Sequence, residues 1–109
     1  MRIQFGFCAP PERAKALAAA GIPAAEGIVG TICSWSDEER AANVAAYREA
    51  GLRFESCNCL IGGFSLYDDP DFEKTNAYFD EKLPKLADAG MKMLVFGSGG
   101  APKPNWMLI

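Results

Sequence analysis

The chain has 109 residues, of which 50% are hydrophobic, and it carries a formal net charge of −3 with no histidine. This length corresponds to one domain, and the hydrophobic share is sufficient for a core. The acidic balance argues against a nucleic-acid partner, because nucleic-acid binders normally present a basic surface. The lack of histidine excludes a Ser-His or Cys-His nucleophilic pair within one copy of the chain.

The composition also indicates where the protein resides. No apolar run approaches the roughly 18 residues of a membrane-spanning helix, and the N-terminus lacks the apolar centre of a signal peptide. We therefore expect a cytoplasmic protein with no membrane partner. The four cysteines lie in or beside apolar segments, so we expect them to be reduced and buried. They are Cys8, Cys33, Cys57 and Cys59.

Short apolar segments alternate with longer segments rich in Ala, Glu, Lys and Leu, and this alternation predicts strands and helices in turn. The predicted strands are 3–7, 24–29, 52–59 and 91–96. The first predicted helix covers 12–20, the second follows Ser36, and the third follows Asp69-Pro70-Asp71. Pro84 lies inside the third helix and predicts a kink or a break there.

Local signals mark the ends of these helices. Ser36 and Glu39 have the spacing of a capping box, in which each side chain satisfies a backbone N–H at the helix start. The clustered acids Asp68, Asp69 and Asp71 suit a helix N-terminus better than a calcium loop. The pair Ala-Gly closes each helix, where glycine suits the left-handed cap residue. The cap glycines are Gly21, Gly51 and Gly90.

Strands joined by helices are parallel, and their crossovers are right-handed. An open doubly wound sheet and part of a (β/α)8 barrel both fit this order. Reuse of one helix-to-strand turn favours the barrel. We therefore predict an α/β fold, a partial (β/α)8 TIM barrel of about four parallel strands and three helices. In both architectures the carboxyl ends of the strands carry the ligand site.

Five short motifs, in order, carry a family resemblance. They are Gly6-Phe7-Cys8, Ala25-Glu26-Gly27, Ala50-Gly51-Leu52, Cys57-Asn58-Cys59 and the run Val95-Phe96-Gly97-Ser98-Gly99-Gly100-Ala101. With these motifs the chain resembles the sugar phosphate isomerase/epimerase family, the xylose isomerase-like TIM barrels. The resemblance covers residues 1–101 and implies the N-terminal half of such a barrel, followed by an atypical tail at 102–109.

The resemblance implies a metal-dependent enzyme that acts on a sugar or sugar phosphate, with Mn or Mg as its metal. In that family the metal ligands and catalytic acids lie on later strands, so we expect no catalytic or metal-binding residue in this chain and no turnover by it alone. What the resemblance assigns here is one wall of the pocket. The implied substrate-binding residues are Glu26, Asn58, Ser98 and Gly99.

Each candidate residue also has a structural interpretation. Glu26 could instead bond a backbone group or Arg53, and Gly97 to Gly100 could form a plain strand-to-helix turn. Cys57 and Cys59 would share one face of a strand, where packing explains them better than a metal. Trp35 could stack on a sugar or pack over a loop.

A non-catalytic role is the alternative to an enzyme wall. Four strands cannot close a barrel, so the first and the last would expose unpaired backbone groups. This predicts a half-barrel that forms a homodimer through its open edges or docks on a partner chain.

Overall fold

The computed structural model describes residues 5–97. In this part of the chain, four strands form one sheet and four α-helices accompany it. The strands are β1 (Gly6–Cys8), β2 (Ala24–Ile28), β3 (Arg53–Asn58) and β4 (Met93–Leu94). The helices are α1 (Ala14–Ala19), α2 (Val29–Ser34), α3 (Asp37–Glu49) and α4 (Glu73–Asp88). Short 3₁₀ turns cover Pro11–Arg13 and Leu66–Asp68.

The strand order is β1-β2-β3-β4, and every neighbouring pair is parallel. The prediction of four parallel strands is therefore confirmed. A doubly wound sheet reverses its order near the middle, and this sheet does not. Because successive right-handed crossovers in one direction place their helices on the same side, the helices cover one face and leave the other open.

The three cap glycines have φ angles of 78°, 83° and 81° at Gly21, Gly51 and Gly90. After α3, the amide of Gly51 donates to the carbonyl of Arg48 at 2.9 Å, and the amide of Leu52 donates to Tyr47 at 3.0 Å. This is the Schellman arrangement, and the same pair of bonds recurs after α1 and α4. The prediction that one helix-to-strand turn is reused is confirmed.

The second and third predicted helices begin where side chains accept hydrogen bonds from free backbone amides. The amide of Glu39 donates to Ser36 Oγ at 3.1 Å, and the amide of Ser36 donates to Glu39 Oε2 at 2.8 Å. At α4, the amide of Thr75 and its hydroxyl both donate to the buried Asp69 carboxylate at 2.7 Å. Burial alone would raise the pKa of Asp69, but these bonds and the one from Lys74 outweigh it and lower the pKa.

The prediction of three helices is wrong, because a fourth helix, α2, directly follows β2. The sequence placed Val29 in a strand, whereas Val29 begins α2. Val29, Ile32 and Cys33 are spaced as one helical face and are all buried, so packing decides the conformation over β propensity. Pro84 was predicted to kink or break its helix, and the break is absent, because α4 runs through it. Pro84 is exposed, so the carbonyl that it leaves without a donor can face water.

The core lies between the covered face of the sheet and the helices. The rings of Tyr47 and Phe54 stack with centroids 4.0 Å apart at an interplanar angle of 11°. The Tyr47 hydroxyl donates to the carbonyl of Ala9, and burial raises the pKa of Tyr47 to about 12. Arg40 is buried but paired, with Asp88 at 2.8 Å and Asp37 also in contact.

The opposite face and both edges of the sheet carry exposed apolar side chains. In β1 and just before it these are Phe5 and Phe7, and in and after β4 they are Met93, Val95 and Phe96. None of the four helices is both long and apolar enough to cross a membrane.

Candidate functional site

A single extra residue in β3 determines which side chains face the open groove. Ala25 pairs with Phe54, but the next residue, Glu26, pairs with Ser56, so Glu55 is a β-bulge. Without the bulge, Glu26 would oppose Glu55, and two carboxylates would be neighbours. With it, Ser56 and Asn58 stand on the same open face as Glu26, because alternate residues of a strand share a face.

Glu26 is held by two hydrogen bonds from β3. Asn58 Nδ2 donates to Oε1 at 2.6 Å, and Ser56 Oγ donates to Oε2 at 3.1 Å. The same amide nitrogen lies 3.7 Å from Cys8 Sγ on β1. A carboxylate has about four acceptor positions, so roughly two remain for a ligand hydroxyl. Side chains of three adjacent strands thus form a polar cluster at the carboxyl ends.

The polar cluster borders a groove of about 430 Å³ on the open face of the sheet. Its size lies within the range of about 300–1,000 Å³ for small-molecule sites. The opposite end of the groove carries charged side chains, where Lys92 Nζ lies 2.8 Å from Glu55 Oε1 and Arg53 is exposed. Polar groups therefore lie at both ends of the groove, with apolar residues such as Phe5, Ala24 and Met93 also in its lining.

A second, apolar pocket of about 170 Å³ lies beside the carboxyl ends of β1 and β2. It shares Cys8 and Glu26 with the groove and adds Trp35, Pro10 and Ile32. Trp35 is half-buried and packs against the core. Glu26 thus lies at the border between a polar groove and a small apolar surface.

The structure brings together two of the four predicted substrate-binding residues. Glu26 and Asn58 are in direct contact, as neighbouring strand ends predict. Ser98 and Gly99 lie outside the described residues, as does the part of the Gly97-to-Gly100 turn that follows Gly97. The alternative partners for Glu26, a backbone group or Arg53, are not the ones observed, because Ser56 and Asn58 bond both of its oxygens.

The divalent metal implied by the resemblance can be compared with these donors. Within residues 5–97, no three His, Cys, Asp or Glu side chains gather as metal ligands do. The polar cluster offers one carboxylate, whereas Mn and Mg sites use several oxygen ligands. The described residues alone do not fit a bound divalent cation.

The cysteines divide into two pairs. Cys33 and Cys57 are buried as predicted, and burial raises the pKa of Cys57 to about 11. The prediction is wrong for Cys8 and Cys59, which are exposed. Cys59 lies beyond β3 with a φ angle of 56°, so the expected same-face geometry of Cys57 and Cys59 ends with the strand.

Sequence reasoning missed Ser56 and Cys8 as members of the polar cluster. On a regular strand Ser56 would point to the covered face, and only the bulge reverses it. Cys8 was interpreted as buried, although its position at the end of the first predicted strand already suggested the ligand-binding edge.

The chain was also compared with known proteins. No family model, no curated protein and no solved structure matches it.

Proposed function

We propose that this chain provides one wall of a sugar-binding pocket in a (β/α)-barrel of the sugar phosphate isomerase/epimerase type. The observation that carries the proposal is the Glu26 carboxylate, fixed by Ser56 and Asn58 at the carboxyl end of two parallel strands. A sugar presents several hydroxyl donors, and a positioned carboxylate with free acceptor positions is a suitable partner for them.

The topology supports the barrel part of the proposal. Four sequential parallel strands with helices on one side correspond to half of a (β/α)8 barrel, whose inner face corresponds to the open face here. In such barrels the ligand binds at the carboxyl ends of the strands. The polar cluster occupies that end of β2 and β3.

The family chemistry moves a proton between adjacent carbons and requires acid/base groups and a metal. The described residues provide two carboxylates in the groove, Glu26 and the Lys92-paired Glu55, and no set of metal ligands. We therefore propose binding without turnover by this chain alone. The partner is a sugar or sugar phosphate, and we place the protein in the cytoplasm, where its four thiols would remain reduced.

The test is ligand titration of the full chain, followed by the amide signals of Glu26, Ser56 and Asn58 in NMR spectra. Fructose and fructose 6-phosphate serve as probes at millimolar concentration. We expect shifts confined to the carboxyl ends of β1, β2 and β3, and Glu26→Gln should weaken binding at least tenfold, because it removes the charged acceptor.

The matched control is Glu38→Gln, which alters an exposed carboxylate in the first turn of α3 and should leave the titration unchanged. Uniform small shifts with both probes, or equal binding by Glu26→Gln and the unmodified chain, would contradict the proposal. Efficient isomerisation by the purified chain with added Mn²⁺ or Mg²⁺ would contradict the claim of an incomplete site.

A further inference from the structure

Both edge strands of the sheet have an unpaired side. β1 pairs only with β2, and β4 pairs only with β3, within the part of the chain that is described. On the side that faces β3, the backbone of β4 and of the residues after it (the β4 segment, 93–97) is hydrogen-bonded. The amide of Val95 donates to the carbonyl of Cys57 at 2.8 Å, and the amide of Ile61 donates to the carbonyl of Gly97 at 3.1 Å. The opposite side of each edge strand presents a row of N–H and C=O groups to the surroundings.

The same two edges expose large apolar side chains. Phe5 and Phe7 are 70% and 55% exposed, and Phe96 is 64% exposed. An aromatic side chain has a surface of about 150–250 Å². With these exposed fractions, the three phenylalanines together expose roughly 300–450 Å². One partner in a stable interface contributes about 800 Å². The three rings therefore supply about half of that area before Met93, Val95 and the strand backbones are counted.

The edges also match each other in geometry. Alternation puts Phe7 on the covered side of β1, opposite Ala25, and Phe96 on the covered side of the β4 segment, two residues after Leu94. Met93 pairs with Ser56 and so lies on the open side with Cys8. Placing β4 beside β1 thus sets aromatic residues against each other on one face, and cross-strand aromatic pairs are favourable.

We propose that two copies of this chain close one eight-stranded parallel ring, with β4 of each copy paired to β1 of the other. A two-fold axis along the strand direction keeps all eight strands parallel and satisfies both edges of both copies at once. Eight is also the number of strands at which side chains fill a barrel interior. Pairing β1 with a second β1 would be antiparallel and would leave β4 uncovered.

This inference rests on the barrel geometry of the proposed function but not on sugar binding. Its consequence for the site is specific. The open faces of the two copies become one interior, so each copy contributes a Glu26–Ser56–Asn58 cluster to the same cavity. The interior then contains two copies of the Glu26 carboxylate, each held by its own Ser56 and Asn58.

The test measures the mass of the full chain by size-exclusion chromatography with light scattering at micromolar concentration. The monomer has a mass of 11.7 kDa, so the ring should have twice that mass. Phe7→Lys and Phe96→Lys each place a charge in the seam, the junction between β4 of one copy and β1 of the other. Each should shift the protein to the monomer. Leu83→Lys, at a 43% exposed apolar position on α4, is the control and should leave the mass unchanged.

Mixing the two edge variants gives the sharpest readout. A mixed dimer of Phe7→Lys with Phe96→Lys has one seam with both native edges and one seam with both substitutions. The mixture should therefore recover part of the dimer that neither variant forms alone. Pairing through β1 alone predicts instead that Phe96→Lys has no effect and that mixing does not restore the dimer.

If an edge variant unfolds, as judged by loss of its helical circular dichroism signal, amide hydrogen exchange of the unmodified chain still tests the proposal. The unmodified chain should show stronger protection of β1 and β4 amides at high than at low concentration. A monomer at all concentrations, a dimer that survives both edge variants, or open-ended polymers would each overturn the proposal. None of these outcomes bears on the sugar titration, which reads a different set of residues.

Discussion

The two faces of the sheet use the same strands in opposite ways. On the covered face, Phe54 and Cys57 are 2% and 0% exposed and pack against Tyr47 and Ile32. On the open face, Glu26 of β2 and Ser56 and Asn58 of β3 are half-buried, and Ser56 and Asn58 both donate to the Glu26 carboxylate. The comparison indicates that the covered face carries the stability of the fold, whereas the open face carries polar groups available to a ligand.

The largest expected effect is on the covered face. Phe54→Ala removes the ring that stacks on Tyr47 and leaves a cavity, so it should lower the free energy of unfolding by about 3–5 kcal/mol. Chemical denaturation measures this. The control is Phe72→Ala, which truncates a phenylalanine that is 60% exposed and should change stability by less than about 0.5 kcal/mol. Similar losses for both variants would contradict the division between faces.

The second effect is a dependence on pH that arises from Cys57. Its pKa is raised to about 11 in the folded chain, mainly by burial. The unfolded chain has a thiol pKa of about 8.5–9, below that of the folded chain. The stability of the fold is therefore fully present below this pH and is lost progressively as the pH rises toward 11. We expect a loss of about 2–3 kcal/mol across this window. Cys57→Ala should flatten this part of the profile.

Alkylation with iodoacetamide provides an independent measurement for the cysteines. The exposed thiols of Cys8 and Cys59 should react under native conditions, whereas the buried thiols of Cys33 and Cys57 should require unfolding. Equal labelling of all four under native conditions would contradict the burial of the covered face.

The third effect tests how tightly the covered face is packed. An added methyl group at Gly27 would lie 2.7 Å from Ile32 Cδ1 and 3.0 Å from Phe54 Cζ. Gly27→Ala should therefore cost about 1–3 kcal/mol, as overpacking does. Gly30→Ala is the matched control, because beyond its chain neighbours and the local backbone of α2 nothing lies within 4 Å of the added Cβ, and it should be neutral or stabilising. Thermal melts of both variants distinguish these outcomes.

The smallest effect lies on the open face. Ser56→Ala removes one hydrogen bond to Glu26 but creates no cavity in the core, so it should cost about 0.5–1 kcal/mol. Ser34→Ala removes a comparable bond to the carbonyl of Thr31 and is the control for stability. Only Ser56→Ala should also weaken sugar binding. A loss above about 2 kcal/mol would mean that the polar cluster is part of the core.

Much of this fold is readable from the sequence because its signals are local. The Ser36 capping box and the three Ala-Gly turns depend on residues within one turn of each helix end, and the structure contains all of them. The placement of Glu26 and Asn58 at one edge of the sheet follows from strand order alone, since the carboxyl ends of adjacent parallel strands meet there. These features require no knowledge of the core.

Helix α2 and the position of Ser56 could not be predicted from the sequence, because contacts between residues far apart in the chain determine them. Helix α2 forms because Val29 and Ile32 find buried partners that include α4, which lies more than 40 residues later in the chain. Ser56 joins the polar cluster only because of the bulge at Glu55, which no local pattern marks. In both cases intrinsic propensity was overridden by tertiary packing.

The bulge has a consequence for how β3 tolerates changes in length. Deleting Glu55 would leave Phe54 followed directly by Ser56, which restores regular alternation with Ser56 still opposite Glu26 and Cys57 still opposite Gly27. A deletion anywhere from Ser56 to Asn58 would instead invert the residues beyond it or remove a member of the polar cluster. Between Glu55 and Asn58, Glu55 is therefore the one residue that the strand can lose with Ser56 and Asn58 still facing Glu26.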